Sequence, residues 1–115
     1  MAKIEVFRHV ENGIRYAPDA VIFREGEPGD LMYAVVEGEV EIRVGDRVIE
    51  CTGEGGVIGE LALIDHRPRS ASAVARTPCV LVPIDEKQFQ FMVQQTPFFA
   101  LQVMRVLTER LRRQT

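Results

Sequence analysis

The residues most able to do chemistry lie together near the middle of the chain. A glycine-rich run at 53–59 is followed at once by Glu60 and, nine residues later, by Arg69 and Ser70. The run is not a dinucleotide-binding G-x-G-x-x-G motif, because Ile58 stands where the third glycine would fall. No Gly-Lys-Ser/Thr follows it either, which excludes a nucleoside-triphosphate loop. By themselves the glycines predict two tight turns.

The residues after the glycines have the types and spacing of a phosphate-binding site. Residues 60–64 form a short helix-forming segment opened by Gly59, and free backbone N–H groups at such an opening attract anions. Arginine pairs with phosphate through two N–H groups and serine donates from its hydroxyl, so Arg69 and Ser70 complete a cradle for one phosphate. Glu60 suits sugar hydroxyls, which together predicts a ribose phosphate. In the alternative, a surface loop, Glu60 and Arg69 pair with each other, and the residues alone favour neither.

Other chemistries find little support. The two histidines, His9 and His66, are far apart in sequence, whereas a metal site needs clustered ligands. No G-x-S-x-G nucleophile motif is present. Cys51 and Cys79 are too few for a disulfide framework and are predicted to be small apolar residues in a reducing compartment. We therefore predict no catalytic residue, no metal and no required cofactor. A metal-dependent barrel hydrolase is the enzyme alternative.

Composition limits the partners. The chain has 115 residues, with 14 Lys and Arg against 17 Asp and Glu, for a net charge of −3. This length predicts one domain over residues 1–115, and the acidity argues against direct nucleic-acid binding. The longest apolar run, 31–36, is far short of the ~18 residues that span a bilayer. Charged Lys3, Glu5 and Arg8 exclude a secretory signal, so we predict a cytoplasmic protein without membrane contact.

The first three quarters of the chain show a strand pattern. Between residues 14 and 82, short apolar runs are separated by turn residues. Val40, Ile42 and Val44 alternate with charged residues, and Gly45 then begins a hairpin turn. Several short strands at this spacing predict a small all-β barrel or roll.

The last quarter changes to a helical period. Asp85 is predicted as the N-cap of a helix over 85–95, which ends before Pro97. A second helix over 98–113 carries one apolar stripe, formed by Ala100, Val103, Met104, Leu107 and Leu111. Its basic residues are predicted to lie on a solvated face: Arg105, Arg110, Arg112 and Arg113. The wide apolar surface predicts a homodimer through Val103, Met104, Leu107 and Leu111.

Residues 59–74 resemble the phosphate-binding cassette of the cyclic nucleotide-binding domain family. This family includes the bacterial catabolite activator protein, the regulatory subunits of cyclic-nucleotide-dependent kinases and cyclic-nucleotide-gated channels. Upstream positions also resemble its β-roll signature: Glu25, Gly26, Gly29, Asp30, Tyr33, Val35, Gly38 and Val40. The similarity covers about residues 13–113. It implies a mainly β fold, a double-stranded β-helix (a jelly-roll-like β-roll) at about 13–84, flanked by short N-terminal and two C-terminal helices.

The resemblance also implies roles for single residues. Glu60 is expected to accept a hydrogen bond from the ribose 2′-hydroxyl and Arg69 to pair with the cyclic phosphate. Gly59 lets the backbone approach closely. Assistance at the phosphate is expected from the Ser70 hydroxyl and the backbone N–H groups of Leu61 and Ala62. A base pocket is expected to include Ile42, Val57 and Val74, with Gln114 and Thr115 from the end of the last helix.

The implied ligand is a cyclic mononucleotide. We favour cAMP over cGMP, although nothing in the cassette selects the base. Binding is expected to draw residues 60–70 inward and to reposition the last helix. No helix-turn-helix follows that helix before Thr115, so we expect a stand-alone sensor or an excised module that acts through an unknown effector protein. The alternative from another class is a protein-interaction domain that keeps the fold without binding nucleotide.

Overall fold

Two antiparallel sheets and three helices make up the computed structural model, which describes residues 13–113. The predicted N-terminal helix, Gln114 and Thr115 lie outside this range. The strands and helices have the following bounds: β1 Ile14–Tyr16, β2 Val21–Phe23, β3 Leu31–Glu37, β4 Val40–Val44, β5 Arg47–Thr52, β6 Val57–Ile58, α1 Glu60–Asp65, β7 Ser72–Ala75, β8 Cys79–Asp85, α2 Glu86–Gln95 and α3 Phe98–Arg113. The predicted mainly β architecture with C-terminal helices is confirmed.

The strands alternate between the two sheets as the chain advances, except that the consecutive strands β4 and β5 pair in one sheet. One sheet has the order β1-β8-β3-β6 and the other β2-β7-β4-β5, and every pairing is antiparallel. Since β1, β2, β3 and β4 enter the sheets in turn, the chain winds back and forth between them. This winding is the roll expected from the spacing of the strands.

The two faces of the β1-β8-β3-β6 sheet bury different apolar clusters. Along β3, Met32 and Ala34 join the helix-side cluster, whereas Tyr33 and Val35 join the cluster between the sheets. This division follows from the two-residue period of a strand. The sheet therefore has α1 and α3 packed on one face and the second sheet on the other.

The helices after β8 are set by local sequence. The Asp85 side chain accepts from the backbone N–H of Gln88 at 2.7 Å, and the Gln88 side-chain oxygen accepts from the N–H of Asp85 at 2.9 Å. This capping box confirms the N-cap predicted at Asp85. In α3, the side chains of Phe99, Val103 and Val106 are buried in the helix-side cluster. No helix within residues 13–113 is both long and apolar enough to cross a membrane.

The predicted dimer seam on α3 is wrong at Val103, which is 2% exposed and so is not available to a partner. Leu107 is half-buried and packs against the helix-side cluster. Met104 and Leu111 are exposed by 59% and 65%. The stripe seen in the sequence is in part the face that covers the sheet. The exposed apolar face of α3 consists of Phe98, Leu101, Met104 and Leu111.

Candidate ligand-binding site

Arg69 is tied by its backbone to the loop between β2 and β3. Its N–H donates to the carbonyl of Glu27, and its carbonyl accepts from the N–H of Gly26, both at 2.8 Å. The loop is forced by the glycines and the proline of residues 25–30. It therefore holds the end of the α1–β7 connection at a fixed place beside the roll.

The Arg69 guanidinium is buried among carbonyl groups. The residue is 7% exposed, and it donates from Nη1 to the Gly59 carbonyl at 3.1 Å and from Nη2 to the Leu31 carbonyl at 2.8 Å. Within residues 13–113 no carboxylate forms an ion pair with it. A guanidinium has five N–H donors, so most of its donor capacity remains for a ligand. A buried guanidinium with free donors is suited to an anion.

Burial also governs the ionisation of Arg69. Loss of solvation lowers the pKa of its guanidinium, while Tyr33 and nearby carboxylates, Asp30 first among them, counter that effect. The guanidinium nevertheless remains charged, because arginine is not deprotonated in proteins. The buried positive charge is thus an electrostatic cost that an anionic ligand would relieve.

An aromatic ring lies against the Arg69 guanidinium. The Arg69 Cζ lies 4.1 Å from the ring centroid of Phe23, which is a favourable cation–π distance. Phe23 in turn stacks on Tyr33, with centroids 6.1 Å apart and an interplanar angle of 27°. Burial raises the pKa of the Tyr33 hydroxyl above its usual value. Phe23 is a site residue for which the sequence analysis found no role.

Two glycines leave room for Arg69. A Cβ on Gly59 would lie 2.6 Å from Nη1 of Arg69 and 3.1 Å from the Phe23 ring, and the φ of Gly59 is +75°. A Cβ on Gly29 would lie 2.3 Å from Nε of Arg69. Only glycine satisfies both the space and the left-handed backbone at Gly59. The close neighbour of Gly59 in the structure is the Arg69 side chain, and the approach of its backbone to a ligand stays a prediction.

Glu60 does not pair with Arg69. It is the first residue of α1, is 3% exposed and forms a short ion pair with Nη1 of Arg110 on α3. The surface-loop alternative, in which Glu60 and Arg69 neutralise each other, is therefore wrong. The α1 N-cap, Gly59, supplies no side-chain hydrogen bond, so the first N–H groups of α1 have no side-chain cap among the described residues.

Arg110 is not on a solvated face, contrary to the prediction. Its side chain is 17% exposed, and its Nε donates to the Glu50 carboxylate at 3.0 and 3.2 Å while Nη2 donates to the Val57 carbonyl. Burial lowers the pKa of Arg110, but Glu60 and Glu50 outweigh that effect and raise it. The last turns of α3 are thus joined to the site by charged hydrogen bonds.

A row of side chains crosses the β2-β7-β4-β5 sheet beneath the two arginines. The register pairs Phe23 with Ala73, Ala73 with Ile42 and Ile42 with Glu50. Cross-strand partners share one face of a sheet, so these four side chains lie on the inner face. Phe23 contacts Arg69 at one end of the row and Glu50 contacts Arg110 at the other.

This register corrects two of the predicted base-pocket residues. Val74 pairs with Glu41, which places it on the sheet face opposite to Ile42, so the two side chains do not line one pocket. Val57 is fully buried in the helix-side cluster, and its contribution to the site is its carbonyl. Both errors have one cause, because neighbouring strand residues point to opposite faces. Ile42 is half-buried on the inner face.

The remaining predicted residues lie close to the opening of α1. Ala62 is 4% exposed and Leu61 is 48% exposed, while Ser70 is exposed beside Arg69. Gln114 and Thr115 lie outside the described residues. In the part of the chain that the structure describes, no group of three or more His, Cys, Asp or Glu residues is placed to hold a metal ion.

The described residues thus combine a buried arginine that has no carboxylate partner among them with a buried carboxylate at the start of α1, an arrangement that suits a β-roll domain for a small anionic ligand. The chain belongs to the cyclic nucleotide-binding domain family, whose model matches residues 14–96. The expectation drawn from residues 59–74 is therefore confirmed at the level of the family.

Curated relatives come from three kinds of protein. The chain is 36% identical over 83 residues to a cAMP-dependent protein kinase regulatory subunit of Candida albicans, covering 72% of this chain and 18% of that protein. It is 38% identical over 109 residues to a cyclic nucleotide-gated potassium channel of Rhizobium etli, covering 95% and 30%. It is 35% identical over 97 residues to a CRP-like cAMP-activated global transcriptional regulator of Mycobacterium tuberculosis, covering 80% and 43%. The chain therefore spans less than half of each of these relatives.

Solved structures share the fold. The catabolite activator protein of Thermus thermophilus superposes with a TM-score of 0.76 at 29% identity, covering 89% of this chain and 51% of that one. An EAL enzyme is similar in a cAMP-bound form, with a TM-score of 0.65 at 34% identity over 87% of this chain and 28% of that one. The cGMP-bound form of the same enzyme superposes with a TM-score of 0.66 at 34% identity, covering 88% of this chain and 28% of that one.

Proposed function

We propose that this chain is a non-enzymatic sensor module that binds a cyclic mononucleotide, with cAMP favoured over cGMP. One observation carries the proposal: Arg69 is buried against Phe23 and carbonyl groups, with no carboxylate partner among residues 13–113. A single phosphate matches this local positive charge in an otherwise acidic chain. The cAMP-bound and cGMP-bound states of similar structures support a cyclic nucleotide as the ligand.

The ligand is placed by the two ends of the site. Its phosphate binds the free N–H groups of Arg69, with help from the Ser70 hydroxyl and the N–H groups of Leu61 and Ala62 at the opening of α1. Its ribose 2′-hydroxyl donates to Glu60. The base lies toward Ile42 on the inner face of β4, because the sheet row leads away from Phe23 and Arg69 in that direction.

Ligand binding is coupled to α3 in this proposal. Glu60 contacts Arg110 in the structure described here, so a ribose hydroxyl that binds Glu60 changes the surroundings of a side chain on α3. A ligand shifts a conformational equilibrium only by its difference in affinity for the two states. The Glu60–Arg110 contact supplies a place where such a difference can arise.

We also propose that two copies of the chain pair through the exposed apolar face of α3. Its four residues are between 42% and 65% exposed, and contiguous exposed apolar surface on a small domain commonly marks an interface. Compared with the predicted seam, this proposal keeps Met104 and Leu111, adds the exposed Phe98 and Leu101, and leaves out the buried Val103 and the half-buried Leu107.

Calorimetric titration of the chain with cAMP and with cGMP tests the ligand. We expect saturable binding, tighter for cAMP, and a loss of about 2–4 kcal/mol in Arg69→Ala, or about 30- to 1,000-fold in Kd, because a buried charged hydrogen-bond partner is removed. Arg67→Ala is the matched control, since Arg67 is exposed two residues away. It is expected to bind like the wild-type chain.

Two results separate the alternatives. Absence of binding to either nucleotide at millimolar concentration favours the nucleotide-free protein-interaction domain. Mass spectrometry of the natively purified chain provides a second measurement, because a co-purifying cyclic nucleotide supports the sensor. Binding that survives in Arg69→Ala with unaltered affinity contradicts the phosphate position even if the ligand is right.

A further inference from the structure

Arg110 is shared unequally between two carboxylates. Glu50 contacts it through both carboxylate oxygens, at 3.0 and 3.2 Å from Nε, and Oε2 lies 3.0 Å from Nη2. Glu60 contacts it through Oε1 alone. Glu50 is held in addition by the Thr52 hydroxyl, which donates to Oε2 at 2.8 Å. Of the two carboxylates that contact Arg110, Glu50 is therefore the one held more firmly in place.

We propose that Glu50 is a positioning residue for ribose recognition. By engaging Nε and Nη2 of Arg110, it leaves only Nη1 for Glu60 and keeps Oε2 of Glu60 available to a sugar hydroxyl. The inference deepens the proposed function and rests on it. Glu50 does not need to touch the ribose, since it acts through the orientation of Arg110.

The geometry explains why the anchor is needed. Arginine and a carboxylate readily form a fork-to-fork pair with two parallel N–H···O bonds. If Glu50 were absent, the freed donors of Arg110 could pair with both oxygens of Glu60, which is 3% exposed and close by. The ribose hydroxyl would then lose its acceptor. Glu50 prevents this second pairing because it lies on β5, beside Ile42, and accepts hydrogen bonds from Arg110.

The Val57 carbonyl and the Thr52 hydroxyl strengthen this arrangement. Nη2 of Arg110 donates to the Val57 carbonyl and lies 3.5 Å from Oγ1 of Thr52. Thr52 is 2% exposed, so its hydroxyl is a fixed part of the β5 end. Arg113 adds a weaker contact to Glu50, 3.7 Å from Oε1 and half exposed. The anchor is thus built from β5, β6 and α3, outside the phosphate cradle.

The test compares cAMP with 2′-deoxy-cAMP by calorimetry, because their Kd ratio isolates the 2′-hydroxyl. We expect the wild-type chain to bind cAMP about 10- to 150-fold more tightly, the range of a hydrogen bond to a charged group. In Glu50→Ala we expect the preference for cAMP over 2′-deoxy-cAMP to fall about 10-fold or more. In Glu60→Ala, which removes the acceptor itself, the two Kd values are expected to be nearly equal. Glu54→Ala, which removes an exposed carboxylate from the neighbouring turn, keeps the wild-type ratio.

Glu50→Gln keeps the size of the side chain and tests the same idea if Glu50→Ala unfolds. It removes one carboxylate oxygen and the charge, so its ratio is expected between those of the wild type and Glu50→Ala. A purely structural role for Glu50 would weaken both nucleotides equally and leave the ratio unchanged, and that result overturns the inference while the proposed function stands. Failure of the wild-type chain to bind cAMP or cGMP overturns both.

Discussion

Gly29 lies directly against the guanidinium of Arg69, where a Cβ on the glycine would stand 2.3 Å from Nε. The backbone between β2 and β3 thus forms one wall of the anion site, and Arg69 occupies the space that a side chain at position 29 would fill. The backbone of Gly29 is not left-handed, so its conformation does not require glycine. The requirement comes from the space that the Arg69 side chain occupies.

Gly29→Ala is therefore expected to displace Arg69 and to weaken cyclic nucleotide binding by about 10-fold or more, since a charged hydrogen bond is misplaced. Gly53→Ala is the control, because a Cβ there meets nothing within 4 Å. Calorimetry measures both affinities and thermal unfolding confirms that both variants fold. Equal affinities in the two variants would show that Arg69 adjusts without cost.

The ring of Phe23 is expected to contribute to ligand affinity although it lies behind the arginine. Phe23→Leu keeps an apolar side chain but removes the cation–π contact, which is worth roughly 0.5–2 kcal/mol, or about 2- to 30-fold in Kd. Phe91→Leu, at a position that is 60% exposed on α2, is the matched control. A Kd for Phe23→Leu within error of the wild type would assign Phe23 to packing alone.

The two tyrosines of the chain, Tyr16 and Tyr33, provide a spectroscopic test of burial. Burial raises the pKa of both hydroxyls in the folded chain. As pH rises past about 10, the unfolded state releases these protons first, so the free energy of unfolding falls over this range and is fully present below it. Absorbance titration of tyrosinate is expected to show midpoints above those of the chain in denaturant. Coincident titrations would contradict the burial of Tyr33 in the core.

Self-association through the exposed apolar face of α3 is expected to respond to charge. Met104→Lys and Leu111→Lys place lysines at positions that are 59% and 65% exposed, so the fold is retained while an interface is disrupted. Light scattering is expected to show a dimer for the wild-type chain and a monomer for the variants. Gln90→Lys, on the exposed side of α2, leaves the dimer intact. A wild-type monomer at high micromolar concentration would exclude this interface.

The residues of the proposed phosphate end of the site could be selected from sequence because they are local. Gly59, Glu60 and Arg69 fall within eleven consecutive residues, and their types already indicate an anion and a hydroxyl acceptor. The capping of α2 was predictable for the same reason, since Asp85 and Gln88 are three residues apart. Residues this close in sequence are held near one another by the local backbone conformation, so their contacts can be predicted without knowing the tertiary fold.

The other end of the site depends on contacts between distant segments. Arg110 meets Glu50 across sixty positions and Glu60 across fifty. In sequence Arg110 is one of four basic residues on a helix, and only the rotation of α3 on the sheet decides which of them turns inward. The base-pocket errors have a related origin, because assigning Val74 to a sheet face requires its register with Glu41.

The helix that carries Arg110 is also part of the apolar core. Phe99, Val103 and Val106 are 0%, 2% and 5% exposed, and each contributes about 1.5–3 kcal/mol by its burial. Lifting all of α3 from the sheet would expose all three, whereas exchanging one hydrogen bond at Glu60 returns about 1.5–3 kcal/mol. We expect α3 to behave as a lever fixed at Val106, with a free arm of about two turns, roughly 10 Å long.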